Sequence, residues 1–383
     1  MSRYQKLGVD VKKPGVEQFK GYVENLYPNA FCVIQRDPKN PSTGLVVHTD
    51  SAGSKPIQAY IQYKETDDEH WFKGLAQDAL AMNLNDVVCV GATPVTFVDY
   101  VAYNTLNMER VKLLGALAEG FGECIDALKA ENVPILFAGG ETADLPDLIR
   151  TLDVSVTMFG RSPIEDLITG EKIAEGDIII GLSSGGRIRY EKRANSGIMS
   201  NGHTLARACL MTQSYLERYP EISHPSRGRY TGRYSFNEYI DDLEMTVGEA
   251  LLSPTRLFAP IVMSILEKHR EDVHGMVHNT GGGQTKCLRL GERIKYIKDN
   301  LPTPEPIFNL IQSEGEVEWR EMYQVFNMGI GYELIVTLDS VEEVISEAEQ
   351  YGLGVARIGH CEKNSKGNSL EIVSPHGRFS YHT

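Results

Sequence analysis

Helical and extended patterns alternate along this chain, and that alternation constrains its fold more than any other feature of the sequence. Between residues 111 and 128, apolar side chains recur every three or four positions, which predicts an amphipathic helix with Asn107 as its N-cap. Over residues 152–158 apolar and polar side chains alternate, which predicts a strand with one solvated face. Further strands are predicted at 45–49, 133–138, 177–183, 332–338 and 355–359.

These elements fall into two blocks of mixed helices and strands, so the predicted fold class is α/β (α+β) with two domains. The stretch RSPIEDLITGEKIAEGD is rich in glycine and charge, and it indicates a domain boundary near residue 165. We therefore expect an N-terminal domain at 1–165 and a C-terminal αβ domain at 166–383. A length of 383 residues also favours two hydrophobic cores over one.

The chain is acidic, with 38 Lys and Arg against 52 Asp and Glu and a formal net charge of −14. A negative surface repels phosphate backbones and anionic lipids, so neither nucleic acid nor a membrane is expected as a partner. The N-terminal sequence lacks the apolar core of a signal peptide, and no run of about 18 apolar residues occurs. These features predict a cytoplasmic protein in which any bound phosphate is held by local groups.

The spacing of cysteines and histidines gives no sign of a structural zinc site or a disulfide framework. The six cysteines occur without a CxxC pair, at Cys32, Cys89, Cys124, Cys209, Cys287 and Cys361. Scattered cysteines of this kind predict reduced, mostly buried thiols. His274 and His278 are four residues apart, but no second Cys/His pair accompanies them. We interpret His274 as structural and His278 as a candidate substrate contact.

Short glycine-rich turns are the clearest chemical motif of the chain. The stretch HNTGGGQTK, at 278–286, places three glycines between two threonines, with a lysine close behind. No Gly-Lys pair followed by a hydroxyl residue and no GxGxxG after a predicted strand occurs, so neither common nucleotide-binding fold is supported. Similar turns lie in TDSAGSK, AGGETADLPD and GLSSGG, where small residues let backbone N–H groups approach an anion. Taken singly, each is weak, because glycine-rich turns are usually just tight turns.

Charged side chains beside these turns favour a metal-bound nucleotide as the ligand. Asp50, Asp86 and Glu141 each lie beside a candidate turn or at a helix end. Mg²⁺ on a nucleotide prefers a few carboxylates in addition to phosphate oxygens. Lys55 adds the positive charge that a polyphosphate needs.

A series of sequence blocks occurs in the order typical of one enzyme family. The blocks are HTDSAGSK, NLNDVVCVGATPVTFVDY, FAGGETADLP, MSNGHTL, LLSPTRLF, VHGMVHNTGGG and MYQVFNMGIGYEL. In these blocks, and in the opening YQKLGVD, the chain resembles the phosphoribosylformylglycinamidine cyclo-ligases, also called aminoimidazole ribonucleotide synthetases, of purine biosynthesis. A lone TGGG turn would carry little weight, whereas ordered blocks spanning nearly the whole chain are specific.

The resemblance implies an ATP- and Mg²⁺-dependent ring closure that converts formylglycinamidine ribonucleotide into aminoimidazole ribonucleotide, ADP and phosphate. Phosphorylation of the formyl amide oxygen makes it a leaving group, and the neighbouring amidine nitrogen then closes the ring. The protein mainly positions groups and neutralises charge in such chemistry. The resemblance also implies that the N-terminal domain binds ATP and that its mixed sheet joins that of a second subunit in a barrel at the interface of a homodimer.

Roles for individual residues follow from the same resemblance. Catalytic roles are implied for Lys55, Asp86 and Glu141, and metal contacts for Asp50, Asp86 and Glu141. ATP or phosphate contacts are implied for Asp50, Ser51, Gly53, Ser54, Lys55, Gly139, Gly140 and Thr142. Substrate contacts are implied for Ser200, Asn201, Gly202, His278, Thr280, Gly281, Gly282 and Gly283.

Several segments depart from the family pattern. The stretch 25–38 replaces a glycine-rich segment, and Met199 stands where the family has a histidine before SNG. Residues 219–239 lack periodicity, which predicts a long loop. Lys286 has no secure counterpart, so we interpret it as a solvated lysine at a helix start. An insertion at 187–198 carries a basic cluster, for which we weigh contact with the ribose phosphate against a solvated loop, and its members are Arg187, Arg189, Lys192 and Arg193.

Two other functions stay open on the sequence alone. Met199 and the lost glycine-rich segment fit a nucleotide-binding paralogue without turnover, and an ATP-dependent small-molecule kinase of the same superfamily is a second alternative. The retained acids and Lys55 favour an enzyme over a pure binder. Cys32 has no glycine or base beside it, which argues against selenophosphate synthase.

Overall fold

The computed structural model describes residues 2–9, 13, 15–224 and 229–383, and two mixed β-sheets organise these residues. The strands are β1 (Gln35–Arg36), β2 (Thr43–Ser51), β3 (Thr93–Tyr103), β4 (Leu136–Asp144), β5 (Leu152–Pro163), β6 (Ile178–Ser183), β7 (Gly185–Gly186), β8 (Asn195–Ser196), β9 (Tyr239–Ile240), β10 (Met245–Thr246), β11 (Val273–His278), β12 (Ile294–Lys298), β13 (Ile330–Val336), β14 (Val355–Lys363), β15 (Ser369–Ser374) and β16 (Gly377–His382). The α-helices are α1 (Arg3–Lys6), α2 (Lys55–Thr66), α3 (His70–Val88), α4 (Arg110–Ala130), α5 (His203–Leu210), α6 (Ser214–Arg218), α7 (Val247–Leu252), α8 (Ala259–His269), α9 (Pro306–Gly315), α10 (Trp319–Val325) and α11 (Val341–Glu349).

The N-terminal sheet has the strand order β1-β2-β5-β3-β4, and only the β3/β4 pair is parallel. A parallel neighbour requires a crossover, which α4 supplies. Buried and partly exposed residues alternate along β5, so one face of the sheet packs on α3 and the other stays open. This confirms the strand predicted at 152–158. On the open face and at the β4 edge, large apolar side chains are exposed, namely Val47, Val98, Tyr100, Leu136 and Phe137.

The C-terminal sheet has the strand order β11-β13-β6-β14-β12-β15-β16, and β12/β15 is its parallel pair. Every residue of β13 is buried, as expected for a central strand covered on both faces. Helices α8 and α11 pack together beside β6 and β14, while α3 of the first domain contacts α8 and β11. The two domains therefore meet along α3.

Helix α3 carries polar residues into this interdomain contact. Its residues from 78 to 88 are all buried, and they include Asp78, Asn83, Asn85 and Asp86. Buried polar groups need hydrogen-bond partners, so partners must come from both domains. The candidate site is therefore expected at this interdomain contact.

Several predictions of elements are confirmed, with two corrections. Helix α4 spans the predicted region, but its N-cap is Glu109, while Asn107 bonds to the Arg150 carbonyl instead. The strand predicted at 133–138 is displaced, because β4 begins at Leu136 and ends at Asp144. Residues 138–144 of the AGGETADLPD stretch, predicted as a turn, therefore lie in a strand. Gly139, with φ 87°, forms a bulge in that strand, where two β4 residues oppose one on β3.

The remaining structural predictions concern thiols, membranes and the long loop. All six cysteines are free and buried, as predicted. No helix in the described residues combines the length and apolar character that crossing a bilayer requires. In the predicted loop at 219–239, residues 225–228 lie outside the described part, and the rest forms a short 3₁₀ turn and isolated bridges to Met211 and Thr212.

Candidate active site

Several donors converge on one oxygen of Asp78, deep in the domain interface. Oδ1 of Asp78 accepts from Lys55 Nζ at 2.7 Å and from Ser200 Oγ at 2.8 Å. It also accepts from the amide and the hydroxyl of Thr255, at 2.7 and 2.8 Å. Lys55 Nζ donates a second bond to the Ser253 carbonyl at 2.7 Å. The cluster joins the start of α2 to two segments of the C-terminal domain.

This geometry corrects the role predicted for Lys55. Its side chain and that of Asp78 have 0% exposure, so no phosphate reaches the ammonium in this conformation. Burial lowers the pKa of Lys55, and the adjacent Asp78 carboxylate opposes that effect only in part. Lys55 therefore links the two domains through buried bonds to Asp78 and to the Ser253 carbonyl.

The TDSAGSK loop packs against the SNG segment of the other domain. Ser54 Oγ lies 2.9 Å from Thr204 Oγ1, and Arg207 donates to the Ser54 carbonyl at 2.5 Å. Gly53 has φ 64°, and a Cβ at this position would lie 3.2 Å from the Ser200 carbonyl oxygen. Glycine is therefore favoured by both backbone conformation and space. The two predicted ligand-binding segments are neighbours.

Asp86 and His278 form a second buried link between the domains. His278 Nδ1 lies 2.7 Å from Asp86 Oδ1, and Asn85 Nδ2 lies 3.2 Å from His278 Nε2. The Asn85 amide is oriented by its other bonds, since Nδ2 donates to the Arg256 carbonyl and Oδ1 accepts from the Phe258 amide. Nε2 of His278 is thus an acceptor, and Nδ1 carries the proton and donates a hydrogen bond to Asp86.

Electrostatics agree with an ionised Asp86 and a neutral His278. Burial is the largest cause that lowers the pKa of His278. Burial alone would raise the pKa of Asp86, but Lys286, His278 and His48 together outweigh it and lower that pKa. His278 is fully buried, so the substrate contact predicted for it is not available in this structure.

Lys286 was interpreted as a solvated lysine, and this was wrong. Its Nζ donates to Thr280 Oγ1 at 2.6 Å and lies 5.3 Å from the centre of the Phe31 ring. Its charge lowers the pKa of Asp86. The signal was present in the sequence, since this lysine follows the glycine triplet closely, but its spacing matches no P-loop.

The triple-glycine segment is a tight turn that leads into a 3₁₀ helix at Gly283–Arg289. The Gly283 amide donates to the Thr280 carbonyl at 2.8 Å, and Gly282 has φ 106°. Asn201 donates to the Asn279 carbonyl at 2.7 Å, which ties the SNG segment to this turn. Thr280 and Gly282 are buried, and Gly281 is exposed. Anion binding by this turn stays a prediction.

Alanine at Gly283 is expected to destabilise the protein by about 2–4 kcal/mol, from the left-handed backbone and overpacking together. Gly283 has φ 50°, and an added Cβ would lie 2.3 Å from the Phe326 carbonyl oxygen. Gly281 is the matched control, because a Cβ there meets nothing within 4 Å, so Gly281→Ala should cost less than about 0.5 kcal/mol. Urea unfolding of both variants measures the difference. Equal losses would contradict the packing described for this turn.

Asp50 lies beside a second carboxylate that sequence reasoning missed. Asp50 is exposed, and its Oδ1 accepts from the Ser51 amide at 2.8 Å. Asp153, on the polar face of β5, has its pKa raised by burial first and by repulsion from Asp50 as well. Carboxylates are the ligands that Mg²⁺ prefers, so Asp153 joins Asp50 as a candidate for such a contact. The alternation of β5 marked Asp153 as solvated, but no motif singled it out.

Glu141 does not join Asp50 and Asp86 within one chain. In the strand registers, Glu141 pairs with Tyr100, Tyr100 with Ser155, and Ser155 with Ser51. Three strand spacings amount to about 14 Å along the sheet. The predicted metal site of three converging carboxylates is therefore not formed by a single chain. Gly139, Gly140 and Thr142 lie beside Glu141 in the same edge strand.

Comparison with known proteins identifies the family. Residues 29–162 match the N-terminal domain, and residues 174–370 the C-terminal domain, of the AIR synthase related proteins. The phosphoribosylformylglycinamidine cyclo-ligase of Methanocaldococcus jannaschii is 34% identical over 86% of this chain and 81% of its own length. The cyclo-ligase of Methanothermobacter thermautotrophicus is 36% identical over 79% of this chain and 76% of its own length. The chain belongs to the phosphoribosylformylglycinamidine cyclo-ligase family.

Solved structures share the cyclo-ligase fold at low identity. The HypE-HypF complex superimposes with a TM-score of 0.57, 16% identity and coverage of 96% of this chain and 97% of that chain. T. maritima PurL complexed with ATP superimposes with a TM-score of 0.55 and 12% identity, over 99% of this chain and 50% of that chain. The thiamine-monophosphate kinase of Stenotrophomonas maltophilia superimposes with a TM-score of 0.52 and 17% identity, over 88% of this chain and 90% of that chain. At these identities the likeness concerns the fold alone.

The basic insertion that departs from the cyclo-ligase pattern is engaged with acids of the first domain. Arg189 donates to Glu131 and lies 3.9 Å from the centre of the Tyr351 ring. Lys192 Nζ lies 2.7 Å from a carboxylate oxygen of Glu123. The side chains of Arg189 and Lys192 are 46% and 80% exposed, so their contact with the ribose phosphate stays a prediction. Arg187 and Arg193 of the cluster are exposed.

Met199, at the position of the cyclo-ligase histidine, is fully buried with φ 58°. His203, the next histidine along the chain, bonds to the Met199 carbonyl at 2.7 Å. Burial, then the charges of Lys55 and Arg207, lower the pKa of His203 well below 6.5. His203 is itself buried, so its imidazole is not accessible for the role of the missing histidine.

Protonation of His203 is expected to destabilise the fold at acid pH. Unfolded chains bind the proton near pH 6.5 while the folded protein does not, so stability present above that pH is lost as pH falls. The loss is up to about 1.4 kcal/mol per pH unit and per histidine. His203→Gln should flatten the slope of the unfolding free energy between about pH 7.5 and about pH 5.5. The exposed His70→Gln is the control, and an unchanged slope in His203→Gln would refute the assignment.

Proposed function

We propose that this chain catalyses the ATP-dependent closure of formylglycinamidine ribonucleotide to 5-aminoimidazole ribonucleotide in purine biosynthesis, with release of ADP and phosphate. The observation that carries the proposal is 34% identity to a named cyclo-ligase across both domains. The motif segments of those domains also meet at one seam, where Asp86 of α3 bonds to His278 of β11. The sequence identity therefore covers the segments of both domains that meet at this seam.

The residues of the chain fit a Mg²⁺–ATP complex. The carboxylates of Asp50 and Asp153 are hard oxygen ligands of the kind that Mg²⁺ prefers, and the charge of Asp50 contributes to the raised pKa of Asp153. Bound Mg²⁺ would neutralise phosphate charge during phosphoryl transfer. Ser51, Gly53 and Ser54, in the loop that follows Asp50, are proposed to face the phosphates. Lys55 is not proposed as a phosphate contact, because its ammonium is buried against Asp78. Asp86 is not proposed as a ligand of the nucleotide's Mg²⁺, because Oδ1 of its carboxylate is buried against His278.

The other chain elements position the substrate. Ser200 and Asn201 are buried and hold the SNG segment through Asp78 and Asn279, and we propose that this segment borders the ribonucleotide. Gly281 is exposed on the triple-glycine turn and Lys286 lies in the 3₁₀ helix that follows it, and we propose that this cation and the backbone amides of the turn suit a phosphate. The substrate's formyl amide oxygen accepts the phosphoryl group, and its amidine nitrogen then displaces phosphate to close the ring.

We also propose that the chain forms a homodimer through the N-terminal sheet and acts in the cytoplasm. The β4 edge exposes backbone groups together with Leu136 and Phe137, which are 68% and 46% exposed. An unprotected apolar edge strand of this kind favours pairing with another chain. Joining two such sheets would complete the barrel that the resemblance implies, and would bring Glu141 into a shared interface.

The test is an assay of the purified protein with formylglycinamidine ribonucleotide, ATP and Mg²⁺, with ADP and aminoimidazole product measured in parallel. We expect equal amounts of the two products. Asp50→Asn should lower kcat/KM by about 100-fold or more, since it removes a carboxylate proposed to hold the Mg²⁺ that neutralises the phosphates. The exposed Asp126→Asn in α4 should retain full activity.

Other outcomes separate the alternatives. Binding of ATP without turnover that depends on the ribonucleotide would favour the non-catalytic paralogue, in which Met199 and residues 25–38 serve another role. ADP release with a stable phosphorylated substrate and no ring would favour a kinase. Either result would overturn the proposed ring closure.

A further inference from the structure

Three metal-ligating side chains of different chemistry converge beside the interdomain seam. Sγ of Cys32, a ring nitrogen of His48 and a carboxylate oxygen of Asp86 all lie within 4.8 Å of one another. Cys32 belongs to the segment 25–38, which replaces a glycine-rich segment of the family, while His48 lies on β2 and Asp86 on α3. We propose that these residues bind a divalent transition metal of the zinc class. This inference does not depend on the ring-closing activity.

The orientation of Asn83 determines which nitrogen of His48 is free. Asn83 Nδ2 donates to the Asp50 carbonyl at 3.1 Å and to the Ala79 carbonyl at 2.8 Å. Its Oδ1 is therefore the atom that lies 2.9 Å from His48 Nδ1, and it accepts a hydrogen bond from the N–H of that nitrogen. In a neutral His48, Nε2 then presents its lone pair to Asp86 Oδ2, at 3.3 Å.

A nitrogen lone pair facing a carboxylate oxygen is repulsive unless a positive charge lies between them. Zinc bonds to nitrogen and oxygen are about 2.0 Å long, so neighbouring ligands of a tetrahedral site are about 3.3 Å apart. The 3.3 Å between His48 and Asp86 matches this edge. Metal-bound histidines typically donate their second N–H to an oxygen, which is the role of Asn83.

The other ligands also have the environment that a metal site needs. Asp86 Oδ1 is occupied by the N–H of His278, which leaves Oδ2 for an ion. The Cys32 thiol is buried and donates to the main-chain carbonyl of Asp86 at 3.1 Å. Burial raises the pKa of the Cys32 thiol well above its ordinary value, so metal binding must displace a proton and should strengthen as pH rises.

Charge and ligand type decide the class of metal. A thiolate and a carboxylate together match the charge of a divalent ion, and sulfur with imidazole nitrogen favours zinc or cobalt over magnesium. His48 is 25% exposed, whereas Asp86 is 6% exposed, so an ion would enter from the histidine side. A water molecule can complete the coordination there.

The experiment is titration of the full-length protein with Co²⁺, followed by competition with Zn²⁺, without nucleotide. We expect one ion per chain, a thiolate-to-cobalt band in the near ultraviolet, and visible bands typical of tetrahedral cobalt. Cys32→Ser should abolish the near-ultraviolet band, and His48→Gln should weaken Zn²⁺ binding at least tenfold. Cys124→Ser, on α4, is the matched control and should bind as the wild type does.

Two results would overturn the proposal. One is a thiolate band that survives in Cys32→Ser, which would place the metal elsewhere. The other is the absence of stoichiometric Co²⁺ and Zn²⁺ binding, which would mean that a proton on His48 balances Asp86. Because His48 is partly exposed, its glutamine variant keeps the test informative even if Cys32→Ser fails to fold.

Discussion

Replacing Asp86 with asparagine is expected to lower kcat/KM for ring closure by about 100-fold or more and to destabilise the protein by about 2–3 kcal/mol. The carboxylate accepts the His278 N–H at 2.7 Å, deep between the two domains, and its charge is balanced by Lys286. Asparagine retains the shape but loses the charge. The domains would then lose the polar link that aligns their motif segments.

Steady-state kinetics and urea unfolding of Asp86→Asn measure both effects. Asp126→Asn removes an exposed carboxylate from α4 and serves as the control for charge alone. A variant that is destabilised yet fully active at low temperature would show that the Asp86–His278 link matters for folding and not for the site.

Replacing Asp78 with alanine is expected to cost about 3–5 kcal/mol, because the Lys55 ammonium would remain buried without its partner. Ser200 and the Thr255 amide would lose the same acceptor. This loss should lower the melting temperature more than Asp86→Asn does. It should also reduce activity, since Ser200 belongs to a proposed substrate-binding segment.

The double variant Lys55→Met/Asp78→Leu separates the ion pair from its surroundings. Removing both charges takes away the unpaired ammonium, so the double variant should be more stable than Asp78→Ala alone. Recovery should be partial, because Ser200 and Thr255 still lack their acceptor. If the double variant is no better than the single one, the Lys55–Asp78 pair is not the main contribution of Asp78. Thermal and urea unfolding measure all of these variants.

Local patterns in the sequence predicted much of the framework. The spacing of apolar residues predicted α4, and the alternation at 152–158 predicted β5, because both depend on contacts between near neighbours in the chain. The ordered motif blocks indicated the family for the same reason, since each block is a short run of residues. The β4 edge was placed less well, because the bulge at Gly139 lets the strand continue through residues that read as a turn.

Only the tertiary structure decided which side chains meet. Asp86 and His278 are 192 positions apart, and Asp78 and Thr255 are 177 apart. Which acid accepts a given lysine depends on how two domains pack, and short-range periodicity carries no record of that packing. For this reason the sequence by itself determined the elements, the family and the candidate segments of this protein. The structure alone showed that Lys55 is buried against Asp78, that Lys286 acts on Asp86 and that Glu141 lies apart.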